Sequence, residues 1–311
     1  MSTGENGASQ SGFYAAWIGY RARKKLLVYT LLVLWAIIAL LPVVFMVVSA
    51  IKPVDVLFSD LRSTNPLSAI IPSQITLDNF DQVFVRTPFL SYLINSIIIA
   101  TATVTLSVFV NSMAAYSLAR LDWRGKALVL SIVVAILVVP FEAIAIPLLY
   151  VVNQLPWLDF GDGAIPALRT SWINSLHVQI IPFIADAFSI FLFYQFFIGI
   201  PKELDEAAKI SGASPFQIYY KIIMPLSKPV IASVAILQFQ ARWNDYLWPV
   251  IAVPGQQFRP LTVGITTFYT QNPQWGQILA YATMVTLPVL LVFLIFQRWF
   301  IESVTSSGVK G

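Results

Sequence analysis

The chain has 311 residues, 58% of them hydrophobic and 11% charged, where a soluble domain carries roughly 25% charge. With a mean hydropathy of +0.76, this composition excludes an ordinary soluble enzyme and a disordered chain and fits a polytopic membrane protein. The absence of cysteine excludes disulfides, thiolate metal sites and cysteine nucleophiles, and a single histidine, His177, cannot build a zinc site, so no metal centre is expected. The net charge of +4 reads as basic loops on one side of a bilayer rather than as a nucleic-acid surface.

Residues 1–12 are polar and rich in Gly and Ser, which predicts an unstructured tail. The basic cluster Arg21–Lys25 closes a predicted cytoplasmic segment, 1–25. The apolar run that follows is too long for a signal-peptide core, and Val48-Ser49-Ala50 is a poor cleavage site. Crossing the hydrocarbon core takes about 20 apolar residues. Six runs meet that need, at about 26–50, 89–113, 127–151, 178–200, 230–253 and 278–297. They are continuously apolar and too long for barrel strands, so their backbone groups must be satisfied within helices. The expected fold class is all-α, with a six-span domain over 26–300 and a tail at 301–311.

Placing the N-terminus inside puts thirteen Lys and Arg on the cytoplasmic side and five on the other, with Arg242 left in the membrane. That bias predicts two cytoplasmic termini. Residues 51–88, 152–177 and 254–277 then face outward. Their aromatics, among them Trp157, Trp172 and Trp275, suit an interfacial belt, and could also stack on a sugar ring or dock a partner.

Between the fourth and fifth runs lies a long polar insertion, 201–229. Pro201 suits a first helical position, and Glu203, Asp205 and Glu206 sit where the helix dipole favours anions. Gly212 suits a left-handed cap. Ser214 caps a second helix with Pro215 at its start, and Pro225 ends it. On the first helix Leu204, Ala207, Ala208 and Ser211 share a small, mildly apolar face by i, i+3, i+4 spacing, which could press into a partner's groove with Glu206 at the rim. A solvated loop helix has the same pattern.

Four ionisable residues fall inside predicted spans: Glu142, Asp186, Arg242 and Asp245. Such groups cost about 2.5–3.5 kcal/mol at a helix centre, so they should face the bundle interior, a water-filled cavity or one another. With Asn244 they are candidates for a polar translocation path. The alternative is structural pairing of Arg242 with Asp186 or with Asp245, three residues along. Prolines 42, 140, 147, 182 and 249 permit kinks.

The insertion carries a longer pattern: Glu206-Ala207-Ala208, three residues, Gly212, nine residues, Ile222, one residue, Met224-Pro225. This resembles the EAA motif of ABC importer permeases, with Met224 where that motif has Leu. Asp78-Asn79-Phe80, Leu93-Ile94-Asn95-Ser96, Ala114–Arg120 with Gly125-Lys126, Trp243–Pro249, and the ending Phe296-Gln297-Arg298 through Gly308–Gly311 resemble further parts of the smaller permease of maltose-type importers. The resemblance implies the type I importer permease fold. It implies a second permease subunit, two cytoplasmic ATPase subunits that carry ATP and magnesium, and an extracytoplasmic solute-binding protein, in the prokaryotic inner membrane. It makes Leu204, Glu206, Ala207, Ala208, Gly212 and Pro225 the ATPase-coupling residues and a carbohydrate the solute. The chain has no GxxxxGK[ST] phosphate loop of its own. An ion-coupled secondary transporter is the rival reading, with the intramembrane carboxylates as coupling sites. Inverted repeats, which it requires, are not visible. A membrane aspartyl protease would need Gly-x-Gly-Asp, which is absent, and nothing resembles a channel filter.

Overall fold

The computed structural model describes residues 5–159, 167–269, 271 and 273–308. Gly161-Asp162-Gly163 and the terminal Val309-Lys310-Gly311 lie outside them. The described chain is helical apart from one antiparallel pair of three-residue strands, β1 (Trp157–Asp159) and β2 (Ala167–Arg169), a departure from a purely α reading. Among the described residues, four helical stretches are long and apolar enough to cross a membrane, or up to six if each of two sharply bent pairs counts as one span.

The chain divides into two compact units, residues up to 82 with 274–283, and 83–273 with the remainder. In the first unit, α1 (Glu5–Ala50) starts well inside the stretch whose composition predicted a tail. No proline interrupts the chain before Pro42, so the helix propagates. Residues 26–41 of α1 are exposed all round, which lipid permits because hydrocarbon tails are as apolar as leucine. After α1 the chain folds back on itself. Lys52 is buried, pairs with Asp60 at 2.9 Å and donates to the Ser68 carbonyl at 2.7 Å. Asp60 comes from α2 (Val54–Arg62). Asn79, at the start of α3 (Asp78–Arg86), donates to the Ala50 and Lys52 carbonyls at 2.9 and 2.8 Å. A Cβ on Gly276 would come within 2.6 Å of the Asn79 side chain, so the glycine permits that approach.

The second unit is built on α4 (Phe89–Arg120), 32 residues without an internal proline. One stripe of it, Ser96, Ala100, Thr103, Ser107, Asn111 and Ala115, is small or polar and buried. Small residues at three- and four-residue spacing let neighbouring backbones approach closely. α4 accordingly packs most heavily on α8 (Ala187–Ile198) and α12 (Lys228–Trp243).

Where the sequence predicts one span over 127–151, α5 (Lys126–Ile136) and α6 (Phe141–Val152) meet at 107°. Pro140 is the cause: it disfavours helix in the residue before it. The fourth predicted span opens with α7 (His177–Ile180) and a 3-10 turn, Ile181–Phe183, containing Pro182, before Asp186 caps α8. Next come α9 (Glu203–Ile210), α10 (Pro215–Ile218), a π-helical turn over Tyr219–Ile223 and α11 (Met224–Leu226). The fifth predicted span is also interrupted: α12 ends at Trp243, and α13 (Leu247–Ala252) begins after Asn244-Asp245-Tyr246. The short α14 (Leu261–Gly264) and the long α15 (Trp275–Gly308) complete the chain.

Candidate functional site

Local physics shapes the α9–α11 segment. Pro201 stands one residue before the Lys202 cap, not inside the first turn. α9 ends in a Schellman motif: Ala213 N–H donates to the Ala208 carbonyl and Gly212 N–H to that of Lys209, at 3.0 and 2.9 Å. The motif needs a left-handed residue, and Gly212 has φ +80°. Ser214 and Gln217 then form a reciprocal capping box. Pro225 stands one residue before the helix ends at Leu226. Its missing N–H and its ring are accommodated by the wider π-helical turn before it. An 80° bend then leads into α12.

The buried side of α9 is not the one spacing suggests. Asp205 is buried, and Ala208 packs inward on a core of Tyr116, Phe193, Phe197, Ile218, Tyr219 and Ile223. Leu204, Glu206, Ala207 and Ser211 are exposed, and Ile210 is 88% exposed. Ala208 is therefore turned away from the exposed face, which Ile210 shares. Phe216, Tyr220 and Leu226 are also exposed nearby in sequence, so this segment presents apolar side chains to its surroundings.

The residues that hold α9 were missed by the sequence reading. Arg120 Nη1 lies 3.4 Å from Asp205 Oδ2, and Arg120 Nη2 donates to the Ile200 carbonyl at 2.6 Å. The pair is almost closed to solvent, with side-chain exposures of 2% and 10%. Tyr116 Oη donates to the Pro215 carbonyl at 3.0 Å, and the Ser112 and Tyr219 hydroxyls meet at 2.8 Å. The spacing Ser112, Tyr116, Arg120 is i, i+4, i+8, one stripe of α4. That signal was legible, but Arg120 read as a topological charge and as part of the Ala114–Arg120 resemblance, not as a partner of Asp205. Beyond the helix end Asp122 bonds Lys126 at 2.7 Å, and that hydrogen bond holds its carboxyl below the usual carboxylate range.

The five span candidates do not form one site. Glu142 is exposed in the first turn of α6, where the helix dipole favours it. Asp186 caps α8, accepting from the Ser189 N–H and hydroxyl at 2.7 and 2.6 Å. Its own N–H donates to Asn111, whose amide also donates to the Ile184 carbonyl. Gln238 of α12 donates to the Ser189 hydroxyl, so a polar chain joins α4, α8 and α12. Arg242 forms its close salt bridge with Asp245 at 2.9 Å, has Asp186 as a weaker electrostatic partner, and lies 3.9 Å over the Phe183 ring. Asp245 also accepts from the Trp248 N–H, capping α13. Asn244 is exposed where α12 ends. A cavity of about 600 Å³ lies elsewhere, along α4, α12 and α15. Its lining is apolar apart from Thr101, Thr105 and Lys228, and includes none of the five candidates.

Residues 107–306 match the family described as binding-protein-dependent transport system inner membrane component. The arabinooligosaccharide transport permease AraQ of Halalkalibacterium halodurans is 32% identical over 279 residues, covering 89% of this chain and 93% of that protein. The trehalose transport permease SugB of Mycobacterium tuberculosis is 33% identical, over 88% and 93% of the two chains. A chain of a bacterial ABC transporter that imports the acidic polysaccharide alginate superposes with a TM-score of 0.70 at 20% identity, over 96% of this chain and 99% of that one, which speaks to the fold. The chain belongs to the family of inner-membrane components of binding-protein-dependent transport systems. It is a multi-pass membrane permease subunit of an ABC importer, and ATP hydrolysis resides on a separate subunit.

Proposed function

We propose that this permease forms half of the path for a carbohydrate and takes its drive from a cytoplasmic ATPase through residues 201–229. A second, different permease supplies the other half, two ATPase copies carry ATP and magnesium, and an extracytoplasmic protein delivers the solute. The chain itself holds no cofactor and binds no nucleic acid; lipid is its other contact. Both termini are cytoplasmic, as is the α9 segment, in keeping with the distribution of Lys and Arg. The relatives named for arabinooligosaccharides and trehalose support the solute class.

One observation carries the docking role. Leu204, Ala207 and Ile210 stand exposed on a short helix whose two ends are fixed, one by the Arg120–Asp205 pair and one by the Schellman motif. An apolar surface on a rigid mount suits a groove in a partner. Closure of the ATPase on binding ATP would then rock the helix bundle, an alternating-access change. Leu204, Glu206, Ala207 and Gly212 would meet the ATPase. Ala208 and Pro225 would support them from behind.

Ala207 is exposed, so Ala207→Arg should leave the fold intact and abolish import in right-side-out vesicles. Gly212→Asp should also abolish import with the protein still in the membrane, because it puts a side chain on left-handed backbone and strains the cap that ends α9. Import at the wild-type rate in either variant, at normal expression, would refute docking. The solute class is read from stimulation of ATP hydrolysis by the co-purified complex. Arabinotriose or trehalose should stimulate it. Stimulation by glycerol phosphate or a polyamine alone would displace the carbohydrate. Uptake without ATP, driven by an ion gradient, would support the secondary-transporter reading in place of this one.

A further inference from the structure

We propose that α4 is the strut of this permease: it carries movement of the α9–α11 segment, as one rigid body, to the loop at residues 254–261 near the opposite end of the helix. The proposal rests on the docking reading above and adds the path by which docking is felt.

The geometry has two halves. At the Arg120 end, three side chains on one stripe of α4 hold four points of the following segment. Arg120 holds Ile200, which precedes α9, and Asp205 within it. Tyr116 holds Pro215, at the start of α10, and Ser112 holds Tyr219 in the π-helical turn. The Tyr116 and Tyr219 rings also pack at 5.4 Å. A single contact would leave a hinge. Contacts spread over eight residues of a helix, about 12 Å of its axis, fix orientation as well as position. Two hydrophobic side chains beneath the segment, Ile218 and Ile223, are fully buried in the same core.

At the Phe89 end, Asn95 donates to the carbonyls of Gln257 and Arg259 at 2.9 and 3.0 Å. Ser96 accepts from the Leu261 N–H at 2.8 Å. The loop is thus held by the same helix, again through side chains bonded to backbone. Between the two ends α4 has neither proline nor glycine, so nothing in its sequence provides a kink. Next to Ser112, Asn111 ties it to the backbone on either side of Ala185. A displacement of α9 therefore reaches residues 257–261 without crossing a flexible joint.

The test uses the assembled importer in lipid nanodiscs, with ATP hydrolysis measured with and without the solute-binding protein. Arg120→Ala removes two of the four near contacts, to Ile200 and Asp205, and Asn95→Leu removes two of the three far ones, to Gln257 and Arg259. Each should keep the complex assembled and its basal hydrolysis intact, and should cut the stimulation by binding protein about tenfold. Because the chain lacks cysteine, nitroxides can be placed at Glu203→Cys and Met113→Cys alone. Their separation should be unchanged by ATP in the parent chain and should broaden or shift in the Arg120→Ala variant. If Arg120→Ala prevents assembly, Arg120→Lys keeps the charge and loses the forked geometry, and the same two readouts apply to it. Full stimulation in both the near-grip and the far-grip variant would overturn the strut, as would an α4–α9 distance that changes with ATP in the parent. Ala207→Arg separates the two ideas. If it blocks import while the grip variants behave as the parent, docking stands and the strut falls. If it imports normally, docking falls as well.

Discussion

Two enclosed arginine–aspartate pairs sit in the second unit and do different work. Arg242 and Asp245 are three residues apart, each 15% exposed, and bridge the break between α12 and α13. Arg120 and Asp205 are separated by most of two further helical passages and lie on α4 and α9. The first pair closes a local turn and shields a charge where the helix is interrupted. The second joins two elements that nothing in the chain's local geometry would bring together. A short-range pair can be satisfied whatever the surrounding packing does, whereas a long-range pair exists only if the tertiary fold is correct. The same contrast separates Lys126–Asp122, exposed at i, i+4, from Lys52–Asp60, buried in the first unit.

Predictions sharpen the contrast. The largest stability effect is expected at Asn111, whose side chain serves two backbone groups at the break before α8. Asn111→Leu leaves them unpaired and should cost about 2–4 kcal/mol, read as a fall in the thermal midpoint of the solubilised complex. Asp245→Ala should cost less, roughly 1.5–3 kcal/mol, because Arg242 keeps its place over Phe183. Arg242→Met with Asp245→Leu should recover part of that loss, since removing both charges leaves neither stranded. A double variant less stable than the single would show the pair to be more than a local closure. Ser214→Ala removes the capping box at the start of α10 and should cost about 1 kcal/mol.

The smallest effect belongs to Asp122. Its hydrogen bond to Lys126 lowers its affinity for protons in the folded state. A lowered value means a contribution present at neutral pH and lost as pH falls through that lowered value. Asp122→Asn should therefore leave the neutral-pH midpoint nearly unchanged and flatten its decline in acid only slightly. A large acid effect would show this exposed pair to be coupled to the strut.

Much of the α9 segment is legible in the sequence, because its signals are local. Gly212 takes the left-handed position, Ser214 caps α10, and the acidic first turn of α9 lies where predicted. Spacing also limits α9 to a few possible faces. It does not say which face turns inward, because buried Asp205 is paired with Arg120, which arrives from another helix. The breaks are legible in kind but not in place. Pro140 and Pro182 announce interruption, whereas the one at Asn244–Tyr246 has no proline and is held by capping and the Arg242 pair.

From the sequence alone came what depends on composition and neighbours a few residues apart. That comprises the membrane as solvent, the apolar runs, the caps of α9 and α10, and the motif over residues 206–225. Only the tertiary structure decided which polar side chains meet: Arg120 with Asp205, Asn95 with residues 257 and 259, Asn111 with the backbone flanking residue 185. Hydrophobic runs report how much of a helix avoids water. In lipid, where apolar faces are equally content outward or inward, they do not report which face seeks another helix. That choice falls to the few hydrogen bonds that hydrocarbon cannot supply.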